Sequence, residues 1–473
     1  MKSSRLFIFF AIYLLTSMLF SQETGATYDT GSATQDTKQS DQEKKQQELE
    51  QNLSDARKAL KFGIDQTVIG VIKQASANKD GRLSAEIAAK LDSLNPEVQK
   101  AALEFFVTIK DFSGIDRIIQ LLGNYNDLDS SVSTAIMLYL REANQKADIV
   151  LQKLLIELTD NAKQEVQIGA IDTLGKIGGE AQIDALLKLF KKSGVTTPVR
   201  AAILRSFSSI NNDSAKSLLK DIASNSAEDK ALRYEAVSAI GNTGDQSALS
   251  IIAKSIRSAD IFERGAAIGA LAGYPEEKVV SLYDQALRDS YWRNRSNVIS
   301  TIGKRKILSF EEAIAYIAES DPELPVKVEA YKTLSILDTL AAWDSLKLFF
   351  EDEKNGGQFR QLSADLIISK HFLPFKESIR TVMQKEWTKE GVNAKLLEII
   401  CLGLSQLHDG VAADLYEKML THPSQTIKIY GIRGIQTNTL IGMYPQLQAM
   451  LSTSQTPAVK AAIQEVLNPT PKK

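Results

Sequence analysis

One cysteine and three histidines in 473 residues leave little material for several kinds of chemistry. A lone cysteine cannot close an internal disulfide. With so few soft ligands, neither a transition-metal site nor a thiol or imidazole enzyme is expected. An excess of one charge is missing too: 56 Lys and Arg stand against 58 Asp and Glu, a formal charge of −2. A dedicated nucleic-acid binder shows a clear positive excess, so nucleic acid is not an expected partner. The chain also lacks a nucleophile elbow, a Walker loop and any repeated His-Glu dipeptide. His371, His408 and His422 are followed by Phe, Asp and Pro, and no metal or other cofactor is expected.

The only long apolar run is at the N-terminus, where Lys2 and Arg5 precede Leu6 to Phe20. A positive n-region, an apolar h-region and small polar residues make a secretory signal. The apolar core falls short of the ~20 residues a spanning helix needs. Cleavage is expected after Ser21, and the protein is expected to be exported to the periplasm. No cysteine follows the apolar run, so no lipid anchor is expected there, and membrane association would require an uncleaved leader. Residues 22–48 contain no Leu, Ile, Val, Phe or Met. Such a segment buries too little apolar surface to offset its chain entropy, and residues 22–50 read as a disordered polar tether. Residues 51–94 read as a helical cap whose apolar face carries Leu60, Phe62, Ile64, Val68, Ile69 and Ile72.

From residue 95 similar lines recur: "PEVQKAALEFFVTI", "QEVQIGAIDTLGKIG", "TPVRAAILRSFSSI", "ALRYEAVSAIGNTG", "PVKVEAYKTLSIL". A large apolar anchor ends each one, first Phe106, Leu140, Leu174, Phe207, Ile240 and Leu271, then Ile302, Leu334, Ile368, Leu404, Ile435 and Leu467. The anchors are 31 to 36 residues apart, and a fixed period of that size marks a solenoid. Within one copy Val166, Ala170, Ile171, Leu174 and Ile177 fall on one helical stripe, and Ile183, Leu186, Leu187 and Phe190 on a second. Each unit is therefore two helices that bury their stripes against the next unit.

These lines resemble HEAT repeats, in particular the bacterial subtype named after phycobilisome lyases, with Val-Arg, small residues and then Leu-Gly in the first helix. The resemblance covers residues 95–467. It implies an all-α fold, a right-handed α-solenoid (an armadillo/HEAT-type superhelix) of about 11–12 helix pairs, followed by a polar tail at 468–473. On activity it is nearly silent, because the family ranges from lyases to scaffolds. It also settles the glycines of "GKIGG". A phosphate-binding fingerprint needs a preceding strand, whereas Gly175, Gly178 and Gly179 lie between two helical stripes. They are expected to form a turn.

Seven residues before successive anchors lies a cation: Arg200, Arg233, Arg264, Arg295 and Lys327, then Lys428 and Lys460. Asp229, Asp260 and Glu323 stand four positions before Arg233, Arg264 and Lys327, so a register-holding acid–base ladder is expected. Cys401 is expected to be a buried apolar residue. The densest aromatic–basic cluster is "RDSYWRNRSN", and Tyr291, Trp292, Arg293 and Arg295 are the candidate partner-binding residues. With no catalytic motif, the sequence points to a non-enzymatic scaffold that offers a protein partner the concave surface of its parallel second helices. The alternative is a lyase-like or modifying enzyme, which needs a clustered acid, Tyr or His constellation.

Overall fold

The computed structural model describes residues 32–179, 182–210, 212–408, 410–453 and 455–468. The expected signal peptide, the first part of the tether and residues 469–473 lie outside the described residues. The chain divides into two units, Met1–Lys58 and Ala59–Lys473. No described helix is long and apolar enough to cross a membrane.

In the first unit the tether expected to extend to residue 50 is helical from Ser32, within the helix Ser32–Phe62. That stretch contains no Gly or Pro and is rich in Gln, Glu and Lys, which lose little side-chain freedom in a helix. Side-chain bonds one turn apart support it, from Gln46 to Glu50 and from Gln51 to Asp55.

The second unit begins with the cap helices Asp65–Ala77 and Ser84–Ala88. Leu60, Val68 and Ile72 are buried there as expected, but Phe62 and Ile64 are 76% and 75% exposed. The stripe does not continue because the helix ends at Phe62 and the next begins only at Asp65, with Ile64 extended between them. Among the described residues, twelve first helices follow, from Pro96–Ile109 to Pro457–Leu467, alternating with eleven second helices. Asn95, Asp129, Asp229 and Asp260 cap first helices by accepting backbone N–H bonds just inside the helix start. The anchors from Phe106 to Ile435 are buried, at 8% exposure or less, and each contributes about 1.5–3 kcal/mol by leaving water.

The first helices form the tightly packed layer. Successive first helices pack against one another along their length, whereas successive second helices touch little. The cause is the small residues around each anchor. A Cβ on Gly175 would stand 2.7 Å from Cα of Ser206, and one on Gly241 would stand 2.4 Å from Cα of Ala270. The closely packed layer thus belongs to the first helices, whereas the partner surface expected from the sequence lies on the second helices. The helix Gln164–Ile177 runs through Gly175 and ends at Gly178, so "GKIGG" is the end of a first helix and its turn. Four residues past the anchor the chain turns left-handed at Lys110, Asn144, Gly244, Lys306 and Asp338, which reverses it into the second helix.

Replacing Gly241 by Ala forces backbone against backbone and is expected to destabilise the protein by about 1–3 kcal/mol. Chemical denaturation checks this, and a midpoint no lower than wild type would contradict the close-packing account.

Candidate functional site

The recurring cations sit at the junctions between repeats. Arg264 donates from Nε and Nη2 to both carboxylate oxygens of Asp289, at 2.7 and 2.9 Å. Arg295 does the same to Asp321 at 2.7 and 2.8 Å and also reaches the carbonyl of Asp289 at 2.8 Å. Arg233 pairs with Glu263 at 3.4 Å. Each arginine therefore bridges from one first helix to an acid beyond its own helix, Glu263 in the next first helix and Asp289 and Asp321 in the loops that precede the next one. Of the acids four positions before the cations, Asp229 and Asp260 are helix caps, Asp260 also pairing with Lys230 of the preceding first helix at 3.0 Å, and Lys327 donates to the carbonyl of Glu319. Sequence counting also missed Arg360, which is 5% exposed and donates to Glu386 at 3.0 Å. It lies seven before Ile367, which is buried beside the Ile368 used as the anchor.

Arg295 is folded into the junction between repeats, apart from the exposed Arg293. It is 9% exposed and saturated by Asp321. Tyr291, Trp292 and Arg293 remain together at the surface. The Arg293 guanidinium lies 4.7 Å from the centre of the Trp292 ring and 5.7 Å from that of Tyr291, and it donates to the Tyr291 hydroxyl. Asp289 fixes the backbone here by accepting the Tyr291 N–H at 2.7 Å. Burial pushes the Asp289 carboxyl up, and hydrogen bonds from Arg264, the Tyr291 N–H and Asn294 outweigh it, so it is held below the usual carboxylate range.

The structure adds two aromatic residues that the sequence cluster did not contain. Tyr234 and Phe262 have ring centres 6.4 Å apart, and Phe262 is 64% exposed. Asn294 donates to the carbonyl of Ile261 at 3.2 Å, which sets the start of the helix Trp292–Arg305 against the start of the helix Ile261–Ala270. Three successive first helices thus place Tyr234, Phe262 and the Tyr291–Trp292–Arg293 cluster at one end. Burial, with help from Asp260, pushes the Tyr234 hydroxyl up to about 12, and that hydroxyl in turn holds the Asp260 carboxyl well below its usual range. The only sequence clue to this row was that Phe262 follows two residues after the cap Asp260.

The remaining reactive side chains are scattered. Cys401 is buried, and burial pushes its thiol up to about 12. His422 is buried between Trp387 and Ser424, with Nε2 2.9 Å from the Trp387 carbonyl and Nδ1 accepting from the Ser424 N–H. His371 stacks on Trp343 at 4.8 Å. Among the described residues no group of three or more His, Cys, Asp or Glu is placed to hold a metal ion.

Two predictions separate the buried pairs from the surface cluster. Asp321→Ala leaves Arg295 buried and unpaired and is expected to cost about 3–5 kcal/mol, whereas Arg293→Ala changes stability by no more than about 0.5 kcal/mol. Denaturation of both variants checks the contrast. A carboxyl held below its unfolded value of about 3.9 adds stability in full above that pH and loses it as pH falls through the folded value. The thermal midpoint should therefore drop more steeply from about pH 5 to about pH 3 in the wild type than in Asp289→Asn. Parallel slopes would contradict the role of Asp289.

The family model described as "Spirochaete HEAT repeat protein" matches residues 60–466. No curated protein matches the chain. Among solved structures, the complex of CpcE and CpcF of phycocyanin lyase from Nostoc sp. PCC7120 is 14% identical with a TM-score of 0.31, over 53% of this chain and 93% of that one. The karyopherin Kap121p bound to the extreme C-terminus of the protein phosphatase Cdc14p is 13% identical with a TM-score of 0.43, over 88% of this chain and 56% of that one. Importin beta is 11% identical with a TM-score of 0.41, over 85% of this chain and 64% of that one. With a period of 31 to 36 residues, an unbroken series of packed first helices and a family match across the whole of that series, the chain belongs to the spirochaete HEAT repeat proteins.

Proposed function

We propose that this is a non-catalytic, exported scaffold that binds a protein partner on its layer of first helices, with Tyr291, Trp292 and Arg293 beside Phe262 and Tyr234 as the anchor. Export to the periplasm rests on the leader-like residues 1–21. The observation that carries the binding reading is a contrast among neighbouring arginines. Arg233, Arg264 and Arg295 are consumed by carboxylates, while Arg293 is exposed and pairs with none among the described residues. Arg293 is spread over two aromatic rings that take no part in the buried core. Aromatic and arginine side chains of this kind are the residue types that dominate binding hot spots. Solenoids bind in this manner because their repeats hold side chains in a long, fixed row without a catalytic centre.

The test places a photo-crosslinking amino acid at Trp292 in the native cell envelope. A discrete protein should be captured, and capture should fall about thirtyfold when Phe262→Ala is combined with Arg293→Glu, as loss of a hot spot worth ~2 kcal/mol implies. Capture that ignores both substitutions, or recovery of only small molecules, would remove this reading.

A further inference from the structure

The second helices are not uniform in charge. The first five, from Ile115–Gly123 to Leu249–Ser255, carry five Asp and Glu against seven Lys and Arg. The next three, Glu276–Leu287, Glu311–Ser320 and Leu340–Glu351, carry eight acids against Lys278 and Lys347 alone. The last three, from Lys376–Glu386 to Tyr444–Leu451, return to four against four. Of the eight acids, Asp284 pairs with Arg288 at 2.9 Å, and Glu276, Glu311 and Glu351 accept hydroxyls of the following repeat, from Ser309, Thr339 and Ser378. Glu277, Glu312, Glu319 and Asp344 are exposed and have no ion pair among the described residues, and neither have Lys278 and Lys347.

Large apolar side chains are exposed among these acids. Leu308, Leu340 and Leu373 stand six residues after the buried Ile302, Leu334 and Ile367, and Glu312, Asp344 and Glu377 stand ten after. Tyr316 and Leu348 follow at fourteen. All five apolar residues are 51% to 80% exposed. Residues four apart share one side of a helix, so Leu340, Asp344 and Leu348 form a stripe. Leu308, in the turn that opens the neighbouring second helix, repeats that stripe with Glu312 and Tyr316. The bond from Thr339 to Glu311, 2.7 Å long, sets the two helix starts side by side. Elsewhere the combination breaks up. Phe112 and Asp116 repeat it once, but Phe112 packs on Tyr139, and Lys146, Asp213, Gln246 and Glu277 hold the equivalent position in later repeats. Ile149 and Val150 are exposed on a helix with one Lys and one Glu, and Ile441 precedes a helix with no charge. Lys304 and Lys306, exposed at the end of the first helix before Leu308, bound the patch on that edge.

We propose that the second helices Glu276–Leu287, Glu311–Ser320 and Leu340–Glu351 dock a basic amphipathic helix of a protein partner. Its apolar residues lie against Leu308, Tyr316, Leu340 and Leu348, and its Lys or Arg side chains reach Glu312 and Asp344. Charge names the occupant. Eight acids against two lysines repel an anionic membrane surface, a nucleic acid or an acidic protein segment. A second copy of the same face would set acid against acid. On each helix the two apolar positions lie eight residues apart, about 12 Å, close to the diameter of one α-helix with its side chains. This surface is independent of the Tyr291–Trp292–Arg293 anchor, which belongs to the start of a first helix and the residue before it.

The test measures fluorescence anisotropy of a labelled Lys-Leu-Ala peptide of about 14 residues, patterned as a basic amphipathic helix, against the purified protein. Saturable binding is expected, weakening about tenfold or more between about 50 and 200 mM salt. The variant E277K/E312K/D344K should weaken it at least about tenfold, and so should L308S/L340S/L348S. D116K/D184K/D221K, which reverses exposed acids on earlier second helices, should retain it, as should W292A. If the charge-reversed variant fails to fold, E277Q/E312Q/D344N replaces it with the same direction of effect. Absence of saturable binding, equal loss in the two charge-reversed variants, or equally tight binding of a Glu-Leu-Ala counterpart would overturn the inference. Loss in W292A would place the peptide on the first helices and overturn it too. So would dimerisation of the protein that E277K/E312K/D344K abolishes, since the occupant would then be a second copy.

Discussion

Everything else in this molecule depends on how closely one first helix can approach the next. A pair of short helices cannot bury two apolar stripes by itself, so each repeat needs its neighbour. Contact at the distances seen between Gly241 and Ala270, or Gly175 and Ser206, is possible only because no large side chain stands between the backbones. Once those helices touch, the anchors from Phe106 to Ile435 leave water together, and the second helices follow with looser contacts. The first helices are thereby a continuous row, each packed on the next.

The arginine bridges work on top of that packing. Arg264 to Asp289 and Arg295 to Asp321 are bidentate, largely buried and repeated at the same place in successive units. A pair of this geometry adds little net stability over an apolar contact, but breaking it is costly, so it selects one register of stacking over others. Asp289 shows how local and long-range roles combine. One carboxylate holds the backbone at Tyr291, accepts Asn294 and receives Arg264 from the preceding repeat. The same junction that locks the stack therefore presents Tyr291, Trp292 and Arg293 to solvent.

The period, the helical stripes and the buried anchors were legible in the chain because they depend on local spacing. So was the recurring cation seven before the anchor, although its partner was not. Asp229 and Asp260 stand near Arg233 and Arg264 in sequence, yet a side chain at the start of a helix finds the free backbone N–H groups first, so both become caps, and Asp260 takes its cation, Lys230, from the preceding repeat. In the candidate site, Trp292 and Arg293 were visible as a dense cluster, and Arg295 was grouped with them. Two residues further along the helix Arg295 points to Asp321, and that separation of roles is set by the loop leading into the next repeat. By reaching the carbonyl of Ile261, Asn294 sets the helix start that carries this cluster against the one that carries Phe262.

The amino-acid order alone determined that this chain is an α-solenoid of HEAT-type helix pairs, since hydrophobic period and small residues near each anchor admit no other burial. Tertiary structure alone decided which layer packs closely and which carboxylate each buried arginine meets. Those outcomes turn on contacts some 25 to 35 residues apart, such as Arg264 to Asp289 and Lys370 to Ser335, where the stacking of one repeat on the next chooses the neighbour.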